Sequence, residues 1–340
     1  MTDHACDHVP MSDGQRVHQN ATTARPLSLG VHVGQQNCKM GELIDLWRRL
    51  DDTVDWISIW DHLYEAPPAG GTTPHFEAVA TLGALAAVTS NARLGCLMFC
   101  VPFRNPALLA KSIVAIDHLS EGRFEPGFGA GWHEPEFRAH GYTFHDVGTR
   151  FDQLTEGLEI ISAMLGDASP STFSGEHHRV DEVTCVPGPY GASIPLWTGG
   201  RGPRRTPTTA ARFCSGWNVP YVGPDDYRLL NQRLDAACEA IDRDPATLER
   251  SVNLAFHLGA DQAGAEAERE RIQLQWGTEI AKRVTAGALT GTPDDAVEQI
   301  AAFRAAGADM VNVALRLPVD ADALDAYLDV VVPAARHQID

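Results

Sequence analysis

A chain of 340 residues is long enough to bury a large core, and its length suits one big α/β domain or two ordinary ones. Its 45 acidic against 27 basic side chains leave a net charge of −18, whose field repels phosphate and argues against general nucleic-acid or anionic-membrane binding. Any anionic ligand must therefore be met by a local basic cluster.

The seven cysteines are dispersed and contain no Cys-x-x-Cys pair, so neither a disulfide framework nor a zinc site is suggested. The first residues lack the pattern of a secretion signal and no apolar run reaches membrane-spanning length, so a cytoplasmic protein is expected. Residues 1–26 are polar and without periodicity, and are expected to form a flexible extension. His4, Cys6 and His8 within it alternate as metal ligands would, but incidental histidines are the favoured reading.

Residues 27–33 read as a first strand, 42–50 as a helix, and 55–60 as a second strand running into Asp61-His62. A Pro/Gly-rich loop precedes a helix over 76–89. The apolar run 92–100 reads as a buried strand ended by Pro102, and Pro106 opens a helix with Leu109, Ile113 and Ile116 on one face. Residues 123–128 form the next strand and enter the glycine-rich Gly127-Phe-Gly-Ala-Gly-Trp132.

After a helix over 150–165 the alternation is interrupted by a turn-rich insertion, 166–191, with a β-like piece near 177–186. It resumes with strands starting at Ile194, Cys214, Val252 and Met310, and helices between them, including a stretch over 263–286. Thr292-Pro-Asp-Asp295 reads as a helix N-terminus and Gly307 as the stop before the last strand. About eight strand-helix units result, the number that closes a barrel, so the expected fold is an α/β (β/α)8 TIM barrel with an insertion after the fourth strand.

In such barrels reactive groups lie just past the carboxyl ends of strands. That rule selects His32, Asp61-His62, Cys96 to Cys100, Gly129 to Trp132, Thr198 to Arg205, and Gly216 to Asn218. An imidazole at a strand exit suits proton transfer, and the adjacent Asp61 would orient His62 or raise its pKa. Glycines with Arg201, Arg204 and Arg205 before a helix suit an anion. Cys96 and Cys100 share a strand face but read better as small apolar fillers. His133, Glu134, His140 and His145 lack the spacing of a known zinc motif.

From residue 27 to about 332 the chain resembles the luciferase-like superfamily of flavin- and deazaflavin-dependent oxidoreductases, in its coenzyme F420 branch. The resemblance is carried, in order, by Ser58-Ile-Trp-Asp-His62, Ala92-Arg-Leu-Gly-Cys96, Phe103-Arg-Asn-Pro-Ala-Leu-Leu-Ala-Lys111, Asp117-His-Leu-Ser-Glu-Gly-Arg123, the Gly127 to Trp132 run and Pro195-Leu-Trp-Thr-Gly-Gly200. It implies a usually dimeric barrel with the deazaflavin at the strand carboxyl ends, FMN being the alternative cofactor. The substrate would be a small molecule or peptide.

By the same resemblance His62 would be the active-site proton donor or acceptor beside the ring, with Asp61 on the cofactor side. The third strand would carry a bulge with a non-proline cis peptide at Leu97–Met98 behind the ring. Cys100 sits where relatives often place a hydroxyl. Gly129, Ala130, Gly131 and Trp132 would line the ring and ribityl chain, and Thr198, Gly199, Gly200, Arg204 and Arg205 the phosphate side. Trp132 stands where the sugar-phosphate dehydrogenases of this branch have a catalytic glutamate, which argues against that substrate.

Overall fold

The structure is a computed structural model that describes residues 25–65, 71–166 and 170–339. Most of the N-terminal extension, with His4, Cys6 and His8, therefore lies outside the described residues. The strands are β1 (Ser28–Val33), β2 (Trp56–Ile59), β3 (Arg93–Cys100), β4 (Phe124–Gly129), β5 (Ser171–Ser174), β6 (Arg179–Val183), β7 (Trp197–Gly199), β8 (Gly216–Pro220), β9 (Glu249–Leu258), β10 (Ala288–Gly291) and β11 (Met310–Leu315). Eight of them pair in parallel in the cyclic order β1-β2-β3-β4-β7-β8-β9-β11 and close on themselves. This is the expected (β/α)8 barrel.

Helices wrap it: α1 (Met40–Asp51), α2 (Ala78–Val88), α3 (Pro106–Leu119), α4 (Glu134–Ala139), α5 (Val147–Leu165), α6 (Arg205–Phe213), α7 (Pro224–Glu239), α8 (Gln262–Ala286) and α9 (Pro293–Ala305). The chain ends in α10 (Ala321–Ala326), a π turn (Tyr327–Val331) and α11 (Val332–Ile339). Each outer helix buries one stripe. In α1, Leu43, Trp47 and Leu50 are fully buried at steps of four and three. The start of α3 is set by Asn105, whose side chain accepts from the amides of Ala107 and Leu108, with Pro106 in the first turn. Among the described residues no helix is long and apolar enough to cross a membrane.

Within the insertion β5 and β6 form an antiparallel hairpin, β6 falling in the β-like piece expected near 177–186. One feature differs from the sequence reading, a ninth parallel strand, β10. β9 is twice as long as β8, which stops at Pro220 where Tyr221 turns aside with φ 54°. The upper edge of β9 would be left with unpaired amides and carbonyls, and β10 supplies their partners from Ala255 to Leu258.

The closed end of the barrel is plugged. Trp56 and Trp197 are buried with ring centroids 5.2 Å apart, in a cluster with Leu97 and Met310. Below them Arg93 pairs with both Glu125 and Glu249, at 2.8 Å each, and Trp197 Nε1 donates to Glu125 at 2.7 Å. The open end, where the strands finish, is left for chemistry.

Candidate active site

β2 and β3 lie side by side, and Asp61, His62, Leu97, Met98 and Cys100 lie toward their carboxyl ends. His62 follows β2 and lies half-buried, with Nδ1 3.0 Å and 3.2 Å from the two carboxylate oxygens of Glu136. Glu136 sits in the first turn of α4, is 2% exposed, and also accepts from the Leu63 amide at 3.0 Å. Burial pushes its carboxyl up, but the His62 hydrogen bond and the Leu63 amide outweigh it and hold the group below the usual range. With Nδ1–H donating to that carboxylate, Nε2 is the basic nitrogen of the neutral ring. Trp132, 60% exposed, meets the imidazole edge-on with centroids 5.6 Å apart.

Asp61 does something else. Its carboxylate is enclosed, accepting from both terminal nitrogens of Arg104 and from the Cys100 amide at 2.9 Å. Burial pushes it above the usual carboxylate range while Arg104 and the amide pull it back. The residue expected on the cofactor side, and to orient His62, thus ties the exit of β2 to the end of β3. Glu136 orients the imidazole instead. Glu136 is not among the residues that the strand-exit rule selects, although its neighbours His133 and Glu134 are conspicuous in the sequence. Its acidic position in the first turn of a helix next to Trp132 was the available signal.

Between Cys96 and Phe99 the β3–β4 register shifts, and the Leu97–Met98 peptide is cis. Leu97 is buried and Met98 half-buried, its side chain lying across β4 and β7. A Cβ on Gly127 would come within 2.3 Å of Met98 Sδ, and one on Gly199 within 2.4 Å of Met98 Cε. The bulge is thus seated against glycines on two adjoining strands. Cys100 is 6% exposed and packs with Phe103 and Phe137. Burial pushes its thiol well up, so it remains protonated.

Gly129 ends β4, and Ala130 and Gly131 follow it, all half-buried, on the way to Trp132. Thr198 is buried, and its hydroxyl donates to the Phe128 carbonyl at 2.8 Å. Gly199 and Gly200 lead, with Gly200 at φ 135°, to the N-terminus of α6. Arg204 is exposed there, whereas Arg205 is turned to Asp152 at 2.7 Å. Arg201 instead faces a cavity of about 860 Å³ over the exits of β8, β9 and β11, walled by α8. No group of three or more side chains able to share a metal occurs among the described residues.

His32, at the inner face of β1, is 3% exposed and shares a hydrogen bond of 2.9 Å with Ser58 Oγ. Burial, with the charges of His62 and Arg316, pushes its ring from 6.5 down to about 3. The unfolded chain takes up this proton below 6.5 and the folded chain does not, so stability is complete above 6.5 and lost as pH falls toward 3. Between about pH 7 and about pH 5 the wild type is expected to lose roughly 2 kcal/mol more unfolding free energy than His32→Asn. Urea unfolding at both pH values reads this, and equal losses in the two proteins would mean that the ring is charged in the fold.

The residues suit a planar tricycle with an anionic tail: an apolar bulge at Leu97 and Met98, side-chain-free Gly129 and Gly131, and then Gly199, Gly200 and a helix N-terminus. Residues 56–310 match the model of the luciferase-like monooxygenase family. The uncharacterized protein Rv0953c of Mycobacterium tuberculosis is 35% identical over 137 residues, 40% of this chain and 47% of that protein. The chain spans less than half the length of that relative. An F420-dependent secondary alcohol dehydrogenase, solved with an F420-acetone adduct, superposes with TM-score 0.80 at 18% identity, over 91% of this chain and 99% of the other. The oxygenating constituent of 3,6-diketocamphane monooxygenase from Pseudomonas putida, solved with FMN, gives TM-score 0.71 at 18% identity over 92% and 99%.

Proposed function

The chain belongs to the luciferase-like monooxygenase family, and on that premise we propose that it is a coenzyme F420-dependent oxidoreductase reducing an activated C=C, C=N or C=O bond of an organic substrate. The observation that carries this reading is the His62–Glu136 pair beside the bulged third strand, at the open end of the barrel. The bound deazaflavin would supply or accept the hydride, as such cofactors do. The chain's own part is positional and protonic. Glu136 fixes the imidazole through Nδ1, which leaves Nε2 of the neutral ring to take a proton in the oxidative direction, and Nε2–H of the imidazolium to give one to the substrate in the reductive direction. Trp132 covers the imidazole edge and narrows access of water to it. Leu97 and Met98 would back the ring, Gly129 to Gly131 flank it, and Gly199, Gly200 and Arg204 would hold the phosphate.

The second reading, a reduced-FMN monooxygenase, is supported by the likeness to the FMN-bound diketocamphane enzyme. Fluorescence titration of the protein with F420 and with FMN separates the two. The deazaflavin reading expects saturable F420 binding at least about tenfold tighter than FMN and no oxygen uptake with reduced cofactor. Tighter FMN binding with oxygen consumption would favour the second reading, and binding of neither would sink both.

A further inference from the structure

A second concavity of the barrel mouth lies beside α8. At about 860 Å³ it falls in the size range that encloses a drug-sized molecule. Four arginines line it, Arg201, Arg271, Arg283 and Arg316, against two carboxylates, Glu268 and Asp320. Both carboxylates are engaged. Glu268 holds Arg271 at 2.7 Å and lies 3.3 Å from His257, and Asp320 accepts from the Ala323 amide at the start of α10. Neither Arg201 nor Arg283 has a carboxylate partner among the described residues, although acids outnumber basic residues by 18 in the whole chain. A local excess of guanidinium groups against that background marks a place for an anion.

The rest of the wall is apolar. Phe256, Trp276, Val284 and Val319 face the same space, and Ile280 faces it while 51% exposed. The cavity lies at the open end of the barrel, over the exits of β8, β9 and β11, the same end at which His62 follows β2.

We propose that this cavity seats the substrate of the reaction assigned above, and that the substrate is an amphipathic acid: an apolar, partly aromatic body whose carboxylate or phosphate is held by Arg201, Arg283 and Arg316. The proposal rests on that functional reading for the word substrate, but the anion site can be tested without turnover. 1-Naphthaleneacetate and its neutral amide have the same shape and differ in charge. Calorimetric titration of the full chain should show the acid bound at least about tenfold tighter than the amide. The preference should vanish in Arg283→Met with Arg316→Met, and in Arg283→Glu alone, with thermal unfolding as the check that each variant folds. Equal binding of acid and amide by the wild type overturns the proposal.

An acidic cofactor tail is the other source of the same chemistry. F420 is therefore titrated beside the deazaflavin riboside that lacks phosphate and tail. Unchanged F420 affinity in the arginine variants supports the substrate assignment. A loss for F420 and not for the riboside gives the arginines to the cofactor and overturns it. If no cofactor binds while the naphthaleneacetate preference persists, the anion site stands and the oxidoreductase reading falls.

Discussion

His62→Ala is expected to lower single-turnover hydride transfer by about 10²–10⁴-fold, the usual worth of a positioned proton donor or acceptor, while leaving F420 affinity within about a factor of three. The two effects separate because on the proposed reading the ring would meet the reacting end of the site, whereas affinity is expected from the bulge, the glycines and the phosphate side. Glu136→Gln should fall in between. The glutamine still accepts through Oε1, but the charge that holds the imidazole in one tautomer is gone. Stopped-flow absorbance of the deazaflavin with any substrate found by screening reads both variants. Unchanged rates in His62→Ala with intact binding would remove this histidine from the chemistry and favour a barrel that binds without turning over.

Arg104→Met should cost about 3–5 kcal/mol of unfolding free energy, because it leaves the Asp61 carboxylate enclosed without its ion partner. The methionine fills much of the space, so the loss reports charge rather than packing. Adding Asp61→Asn should recover a good part, since a neutral amide still accepts from the Cys100 amide. Such recovery is the signature of coupling between two contacting side chains. Urea unfolding of the wild type, the two single variants and the double variant measures it. A cost below about 1 kcal/mol for Arg104→Met would show that solvent reaches the carboxylate, and would undo the view of Asp61 as a tie between two strands.

The architecture was legible because a (β/α)8 barrel writes its strands as apolar runs between helices of regular length. Where the edges slipped, particular residues explain it. The run from Ile194 is buried, but Pro195 has no amide to pair, and the strand begins at Trp197. β9 starts three residues before Val252, because Glu249 faces Arg93 at the closed end and a charged residue there does not look like strand. β10 has only four residues, and the vacancy it fills exists only once Tyr221 has turned β8 away. No local pattern could announce it.

The site was legible in outline. His62 stood out, since an imidazole after a strand is conspicuous. The Asp61 side chain turns to Arg104 and the Cys100 amide while that of His62 turns to Glu136, as successive residues of an extended chain point to opposite sides. Glu136 and Arg104 come from distant parts of the sequence, and only the folded chain brings them to those two residues.

Gly277 breaks α8 with φ 69°, a value open to glycine and strained for other residues. Arg271 and Arg283 are separated by a dozen positions, and on an unbroken rod they would radiate about 120° apart. Both nevertheless look into one chamber. The articulation turns a single helix into two panels of a corner, and the guanidinium groups mounted on either side of it converge because the backbone bends, not because the sequence spaces them.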